Sequence, residues 1–187
     1  MNVIDLLKKQ HKEVKALLER IENDDDKKEA KALVAEVGKA LRLHMLIEEK
    51  LVYPTAARAF AGNDEEEDEV LEAFEEHATA RGALEVLERT PAKDKRLSVR
   101  AKVLRELLEH HIEEEEKEFF PDIEKELGDE AMEKLSAQAE KKIPQFEREA
   151  SGKPAPRAST TARRGRTARG GTTTRQTKAG GARRSAR

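Results

Sequence analysis

The chain has 187 residues, about one domain's worth, of which 41 % are charged and 3 % aromatic, with no Trp and no Cys. Without Cys, a disulfide scaffold, a cysteine zinc site and a thiol enzyme are excluded. No apolar stretch approaches the ~20 residues of a membrane span and no signal-like apolar run opens the chain, so no membrane role is expected and the cytoplasm is the simplest compartment.

The net charge of −2 conceals a division. From Ser151 to Arg187 the chain carries Lys153, Lys178 and nine Arg with no acidic residue, so this segment is +11 and the first 150 residues are −13. An acidic body is joined to a basic tail, and the two call for separate readings.

In the body, Ile4, Leu7, His11, Val14, Leu18 and Ile21 step by three and four along one face of a first helix, near 2–22. After Asn23-Asp24-Asp25-Asp26, the stripe Leu33, Val37, Leu41, His44, Glu48, Leu51 predicts a second, near 28–60. Gly62-Asn63-Asp64 separates it from a third near 66–89, marked by Val70, Phe74, His77, Ala80, Leu84 and Leu87. Thr90-Pro91 precedes a fourth near 94–127, whose stripe is Leu104, Leu108, His111, Glu115, Phe119, Ile123. No strand-like alternation occurs. Such short connections force antiparallel neighbours, so the expected fold is all-α, an up-down-up-down four-helix bundle over 1–127. Gly128-Asp129 should stop helix four and start a short fifth helix near 129–149, within a segment 128–150. That helix carries Met132, Leu135, Ile143 and Phe146, with Pro144 disturbing its end. The segment 151–187 is an Arg/Ala/Gly/Thr-rich tail whose only hydrophobic residues are alanines, and it is expected to be disordered.

The bundle contains an internal repeat. HMLIEEKLVYP (44–54) and HIEEEEKEFFP (111–121) share His, the Glu-Glu-Lys run, an aromatic (Tyr53, Phe120) and Pro at an offset of 67 residues. His11 and His77 match at an offset of 66, each followed seven residues later by Leu. Each half is therefore a helical hairpin giving one His from its first helix and His-x-x-x-Glu from its second. A spacing of four puts both side chains on one helix face, and here that face is apolar. A carboxylate buried there without compensation costs several kcal/mol or takes up a proton; a cation supplies the missing partner.

His11, His44, His77 and His111 sit near mid-helix, so antiparallel packing brings them to one layer with Glu48 and Glu115. Four imidazoles and two carboxylates are too many for one ordinary ion and suit two metals bridged by Glu48 and Glu115. Nitrogen and carboxylate oxygen without thiolate favour iron or manganese over a structural zinc site. A lone His on an apolar face is more often a hydrogen-bonded core residue, but a repeat built around four such positions is a metal-site pattern.

At these residues the body resembles the hemerythrin-like family, also called the HHE cation-binding domain, over roughly 2–127. The shared pattern is H…HxxxE…H…HxxxE, with EEKLVYP and EEKEFFP similar to the family's acidic-then-aromatic-Pro segments. The resemblance implies a non-haem di-iron centre, two iron ions with manganese or zinc less favoured, that meets oxygen, peroxide, nitric oxide or iron itself. It implies terminal imidazole ligands at His11, His44, His77 and His111 and bridging carboxylates at Glu48 and Glu115. Oxygen-carrying members place two His four residues apart on the third helix. Here Ala73 lies one turn before His77 and Arg81 one turn after, while His110 points about 100° away from His111. One iron should thus keep an additional open or water-filled position, which favours reaction with a small oxidant, or iron sensing and storage, over pure oxygen carriage.

Tyr53 is expected to pack as a helix-end aromatic, the alternative being a ligand or hydrogen-bond donor at the site. Glu49, Glu114 and Glu116 are expected on a solvated acidic face, the alternative being support of the ligands or iron entry. His110 should be exposed or support the ligands, and Pro54 and Pro121 should kink their helices. Three functions compete: a di-iron protein that binds, senses or reacts with a small molecule; a catalyst of peroxide decomposition (catalase-like) or nitric oxide reduction at the same centre, with no separate catalytic residue assigned; and a nucleic-acid-associated protein whose metal is structural. No Ser-His-Asp pattern, phosphate loop or nucleotide fingerprint is present.

The tail cations Arg163, Arg164, Arg166, Arg169, Arg175, Lys178, Arg183, Arg184 and Arg187 make an expected phosphate-binding arm for DNA or RNA, consistent with a nucleoid-associated protein, the alternatives being a solubilising extension or a tail folded back onto the acidic body. With no aromatic to stack on bases, its binding should be nearly sequence-blind. Deleting 151–187 is expected to abolish a salt-sensitive DNA mobility shift while leaving metal content unchanged; equal DNA binding by the truncated chain would contradict it.

Overall fold

The computed structural model describes residues 2–24 and 27–152. Asn2 caps the first helix, its side chain accepting from the Ile4 N–H at 2.8 Å, and α1 runs Val3–Glu22. The second bundle helix is built in three pieces: α2 (Ala30–Ile47), a π-helical turn π1 (Glu48–Val52) and α3 (Tyr53–Ala59). Gly62, at φ 94°, turns the chain into α4 (Asp64–Glu88), whose first turn holds four acidic residues where the helix dipole favours them. The fourth helix repeats the second: α5 (Arg96–Glu114), π2 (Glu115–Phe119) and the start of α6 (Phe120–Ala150). The described residues contain no strand, and no helix among them is long and apolar enough to cross a membrane.

Around the bundle, α1 packs between α2 and α5, and α4 likewise packs against both. The described part is the all-α four-helix bundle expected from the stripes. Its core is two apolar clusters. One gathers Val14, Leu18, Leu41, Met45, Ala80, Leu84, Leu104 and Leu108. The other gathers Ile4, Leu7, Ile47, Val52, Tyr53, Val70, Ala73, Phe119 and Phe120. On each helix the His of interest falls between residues of the two clusters, so the antiparallel helices of the bundle place all four at one level. Inter-helix ion pairs clamp the outside, Arg105 to Glu22 at 2.6 Å and Arg42 to Glu88 at 2.6 Å.

One local reading is corrected, that Pro144 disturbs the end of the last helix. The turn before each of Pro54 and Pro121 is widened into a π turn. The Tyr53 N–H bonds to the Glu48 carbonyl and the Phe120 N–H to the Glu115 carbonyl, five residues back in both cases. A proline clashes with the carbonyl four residues before it and offers it no N–H, and an expanded turn relieves both problems. Gly128 does break the helix, at φ 67° and ψ 173°, but residues 129–150 then continue as helix through Pro144 to Ala150. Pro144 lies on the exposed side, where water can replace the lost bond, and the buried Phe146 and Ala150 hold the last turns down. The tail lies outside the described residues, including every cationic residue named for it from Lys153 onward.

Truncating Leu18, fully buried in the first cluster, is expected to cost about 2–5 kcal/mol in urea denaturation of the Leu18→Ala variant. The cluster is separate from the second, so metal content per folded chain should not change.

Candidate metal centre

Between the two clusters lies a polar layer made from one His of each bundle helix and one Glu from each π turn. His11, His44, His77, His111, Glu48 and Glu115 are each at most 3 % exposed. Every imidazole points its Nε2 inward. His44 and His77 bring Nε2 to 3.0 and 3.3 Å from Glu48 Oε2, and His11 and His111 bring theirs to 3.2 and 3.4 Å from Glu115 Oε2. The rings are packed edge to face, His11 against His44 at 4.7 Å and His77 against His111 at 4.9 Å between centroids.

Each outward Nδ1 is held by a neighbouring helix. His11 pairs with Glu116 at 2.8 Å, His77 with Glu49 at 2.9 Å, His111 with Glu76 at 2.7 Å and His44 with Gln10 at 3.2 Å. Arg81 closes over this shell, donating to Glu49 Oε1 at 2.5 Å. An imidazole whose Nδ1 is engaged by a carboxylate or amide presents its Nε2 lone pair inward in a fixed orientation, the arrangement that metal-binding histidines require.

Two overlapping groups of donor atoms result. His44, Glu48, His77 and His111 form one; His11, His44, Glu48 and Glu115 form the other, with all ligand atoms within 4.8 Å of one another in each. The groups share His44 and Glu48. Both oxygens of Glu48, Oε2 of Glu115 and Nε2 of His11 are buried with no aligned hydrogen-bond partner among the described residues. Orphaned buried acceptors of this kind are destabilising unless a cation satisfies them. The donor set of imidazole nitrogens and carboxylate oxygens therefore fits a metal, and the orphaned atoms are those a metal would contact.

The sequence-based expectations divide at this layer. The six core His and Glu residues come together, and Glu49 and Glu116 hold ligand-position imidazoles rather than lying on a purely solvated face. Tyr53 is more than a packing aromatic. Its ring contacts Phe74 and Phe119, but its buried hydroxyl donates to Glu115 Oε1 at 2.9 Å and lies 3.2 Å from His77 Nε2. The π turn explains the error: five residues along an ordinary helix lie about 140° from the starting position, and the wider turn shortens that angle, aiming Tyr53 back into the layer. Phe120, its counterpart in the repeat, stacks on His11 at 5.9 Å. Glu114 and His110 do not reach the layer; they pair with each other at 3.3 Å on the surface, beside Glu76. Sequence reasoning missed Gln10, Glu76 and Arg81. Gln10 and Glu76 occupy equivalent positions at the offset of 66, each directly before a His, and that register was the available signal.

The model of the Hemerythrin HHE cation binding domain matches residues 2–123. The chain belongs to the hemerythrin HHE cation-binding domain family. It is similar to a crystal structure of a hemerythrin HHE cation binding domain-containing protein, the Rv2633c homolog from Mycobacterium kansasii. The TM-score is 0.66 at 27 % identity, over 79 % of this chain and 88 % of that one. No curated protein matches the chain.

In the metal-free HHE bundle the layer is strongly polarised. Burial works against the charged form of His77, but its pairing with Glu48 and Glu49 prevails and pushes its pKa up to about 9. Burial likewise opposes ionisation of Glu48, yet the His44 charge and contacts with His44 and His77 hold it well below the usual carboxylate range. Desolvation dominates at His44, which is depressed. A His raised in the folded state stabilises fully below its ordinary pKa of 6.5 and loses that contribution as pH rises through its folded value. Without metal, His77 is therefore expected to contribute a loss on the order of 3 kcal/mol of stability between pH 6.5 and about 9, measured as the difference between wild type and His77→Gln in urea unfolding across that range. A rise in stability over the same interval would contradict the charged pairing.

Proposed function

We propose that the His/Glu layer holds two metal ions, iron in the working protein, and that the chain binds or reacts with a small oxidant such as oxygen, peroxide or nitric oxide there. The observation that carries this reading is the pair of four-donor groups sharing His44 and Glu48, with three carboxylate oxygens left unsatisfied in an apolar interior. Glu48 and Glu115 are the bridging candidates because each faces imidazoles from two helices. Iron bound there would supply redox and Lewis-acid chemistry.

The protein's own part is positioning and exclusion. Glu116, Gln10, Glu49 and Glu76 fix the four rings. The apolar clusters on either side bury the layer, leaving each of its six donors at most 3 % exposed. Tyr53 keeps its phenolic proton, since burial and the Glu48 and Glu115 charges push its pKa well above the ordinary value, and so presents an O–H at the Glu115–His77 edge. Ala73, where oxygen carriers of the family have a further His, brings no donor and leaves room beside His111 and Glu115. That vacant side supports turnover of a small oxidant such as peroxide over simple carriage. A nucleic-acid contact by the cationic tail would then place this chemistry beside a polyanion; its support is the charge of the segment alone.

Protein grown with adequate iron and never exposed to chelator is expected to contain about two irons per chain. The His77→Ala variant should lose metal while keeping its helical circular dichroism, because the two apolar clusters remain. Collapse of that variant's fold would assign the metal a structural role, and a fully helical, metal-free wild type would reduce the layer to packing. Many cycles of peroxide loss per site would identify an enzyme, and a stoichiometric reaction a binding protein.

A further inference from the structure

The internal repeat supplies a comparison within one molecule. On the second half, a cavity of about 320 Å³ opens between α4 and the π2 turn, and eight of its eleven lining residues are Asp or Glu. Among the described residues neither Lys nor Arg lines it. His111 and Glu115 of the layer form its inner end, each 3 % exposed, and Glu115 Oε2 there has no aligned hydrogen-bond partner among the described residues. Glu69 Oε2, also buried, has none either. Burial and the neighbouring Asp122, Glu118 and Glu66 carboxylates push the Glu69 pKa up, as expected where negative charge is not neutralised by cationic side chains.

The equivalent face on the first half is of opposite character. Counting back by the repeat offsets of 66 and 67, Glu69, Glu72, Ala73, Glu114 and Glu118 correspond to Val3, Leu6, Leu7, Ile47 and Leu51. All five are apolar, and all belong to or pack against the second cluster together with Met132, Leu135 and Phe146 of α6. The Val3 N–H donates to Ser136 Oγ at 3.1 Å, pinning the segment after Gly128 across this face. Among the described residues, one side of the polar layer is thus covered by the C-terminal helix, while the symmetry-related side is open and lined with carboxylates.

We propose that the acidic cavity between α4 and π2 is the port by which a divalent cation enters the His/Glu layer, the C-terminal helix having closed the matching face of the first half. This inference rests on the metal-binding reading. The carboxylates concentrate the cation at the mouth, Glu115 receives it at the floor, and Ala73 leaves the passage that Leu7 fills on the other side. The cavity also disfavours anions, so a neutral oxidant rather than an anionic one can use the same route.

Stopped-flow uptake of Co²⁺ by the metal-free full-length chain, followed by its visible absorption, tests the proposal. The combined Glu69→Gln, Glu72→Gln and Glu118→Gln variant touches no proposed ligand. It is expected to load roughly tenfold more slowly at low ionic strength, with the gap closing as salt screens the mouth and the final metal content unchanged. A control with Glu130→Gln, Glu133→Gln and Glu147→Gln on the C-terminal helix should load at the wild-type rate. Ala73→Leu, which copies Leu7, should slow loading at every salt concentration. Wild-type uptake by the cavity variant, or equal slowing in the control, overturns the port while leaving metal binding standing. Failure of the wild-type chain to take up any cobalt overturns the metal-binding reading itself and the port with it.

Discussion

Two carboxylates buried in an apolar bundle set the terms for the rest of this structure. Glu48 and Glu115 sit where Leu or Ile would pack without cost, and an isolated ion in such a place is destabilising by several kcal/mol. Everything around them answers that penalty. Four imidazoles approach from four helices, Tyr53 donates to one oxygen, and the outer partners Glu116, Glu49 and Glu76, with the buried amide of Gln10, hold the rings from outside. The oxygens still unsatisfied after this arrangement point to a cation as the remaining component.

The layer is nearly two-fold symmetric, and its departures from symmetry carry its chemical character. Glu49 and Glu116 act identically in the two halves, each holding the His of the opposite hairpin's first helix. At the other pair of positions Gln10 faces His44 and Glu76 faces His111, so a neutral amide replaces an anion on one side. Tyr53 gives a hydroxyl where Phe120 gives only a ring face. Two metals held here would sit in unequal electrostatic surroundings, with the phenol at the His77–Glu115 edge. A duplicated hairpin has become a centre with two distinct ends.

The π turns connect fold to site. Each starts at a core Glu and ends before the residue preceding a proline, so the sequence element that expands the turn adjoins the carboxylate it serves. The expansion lets Glu48 and Tyr53 both face the interior across only five residues, which an unbroken α-helix does not permit. The same event in the other half aims Phe120 at His11. Pro54 and Pro121 therefore act on the site through backbone geometry, without touching it.

The stripes, breakers and repeat determined by themselves the helical bundle, the six core His and Glu residues and the single level at which they meet. Helical periodicity and the His-x-x-x-Glu spacing are local properties, and mid-helix placement converts directly into depth when helices run antiparallel. The tertiary structure alone decided which outer residue holds which ring, because each such contact crosses between helices: Gln10 precedes His11 yet binds His44, and Glu76 precedes His77 yet binds His111. It also decided that Tyr53 turns inward, since a 3.6-residue period cannot anticipate a π turn. Last, it decided which face of a symmetric core is covered, because the docking of 129–150 on Val3, Leu7 and Ile47 follows from the direction in which Gly128 turns the chain.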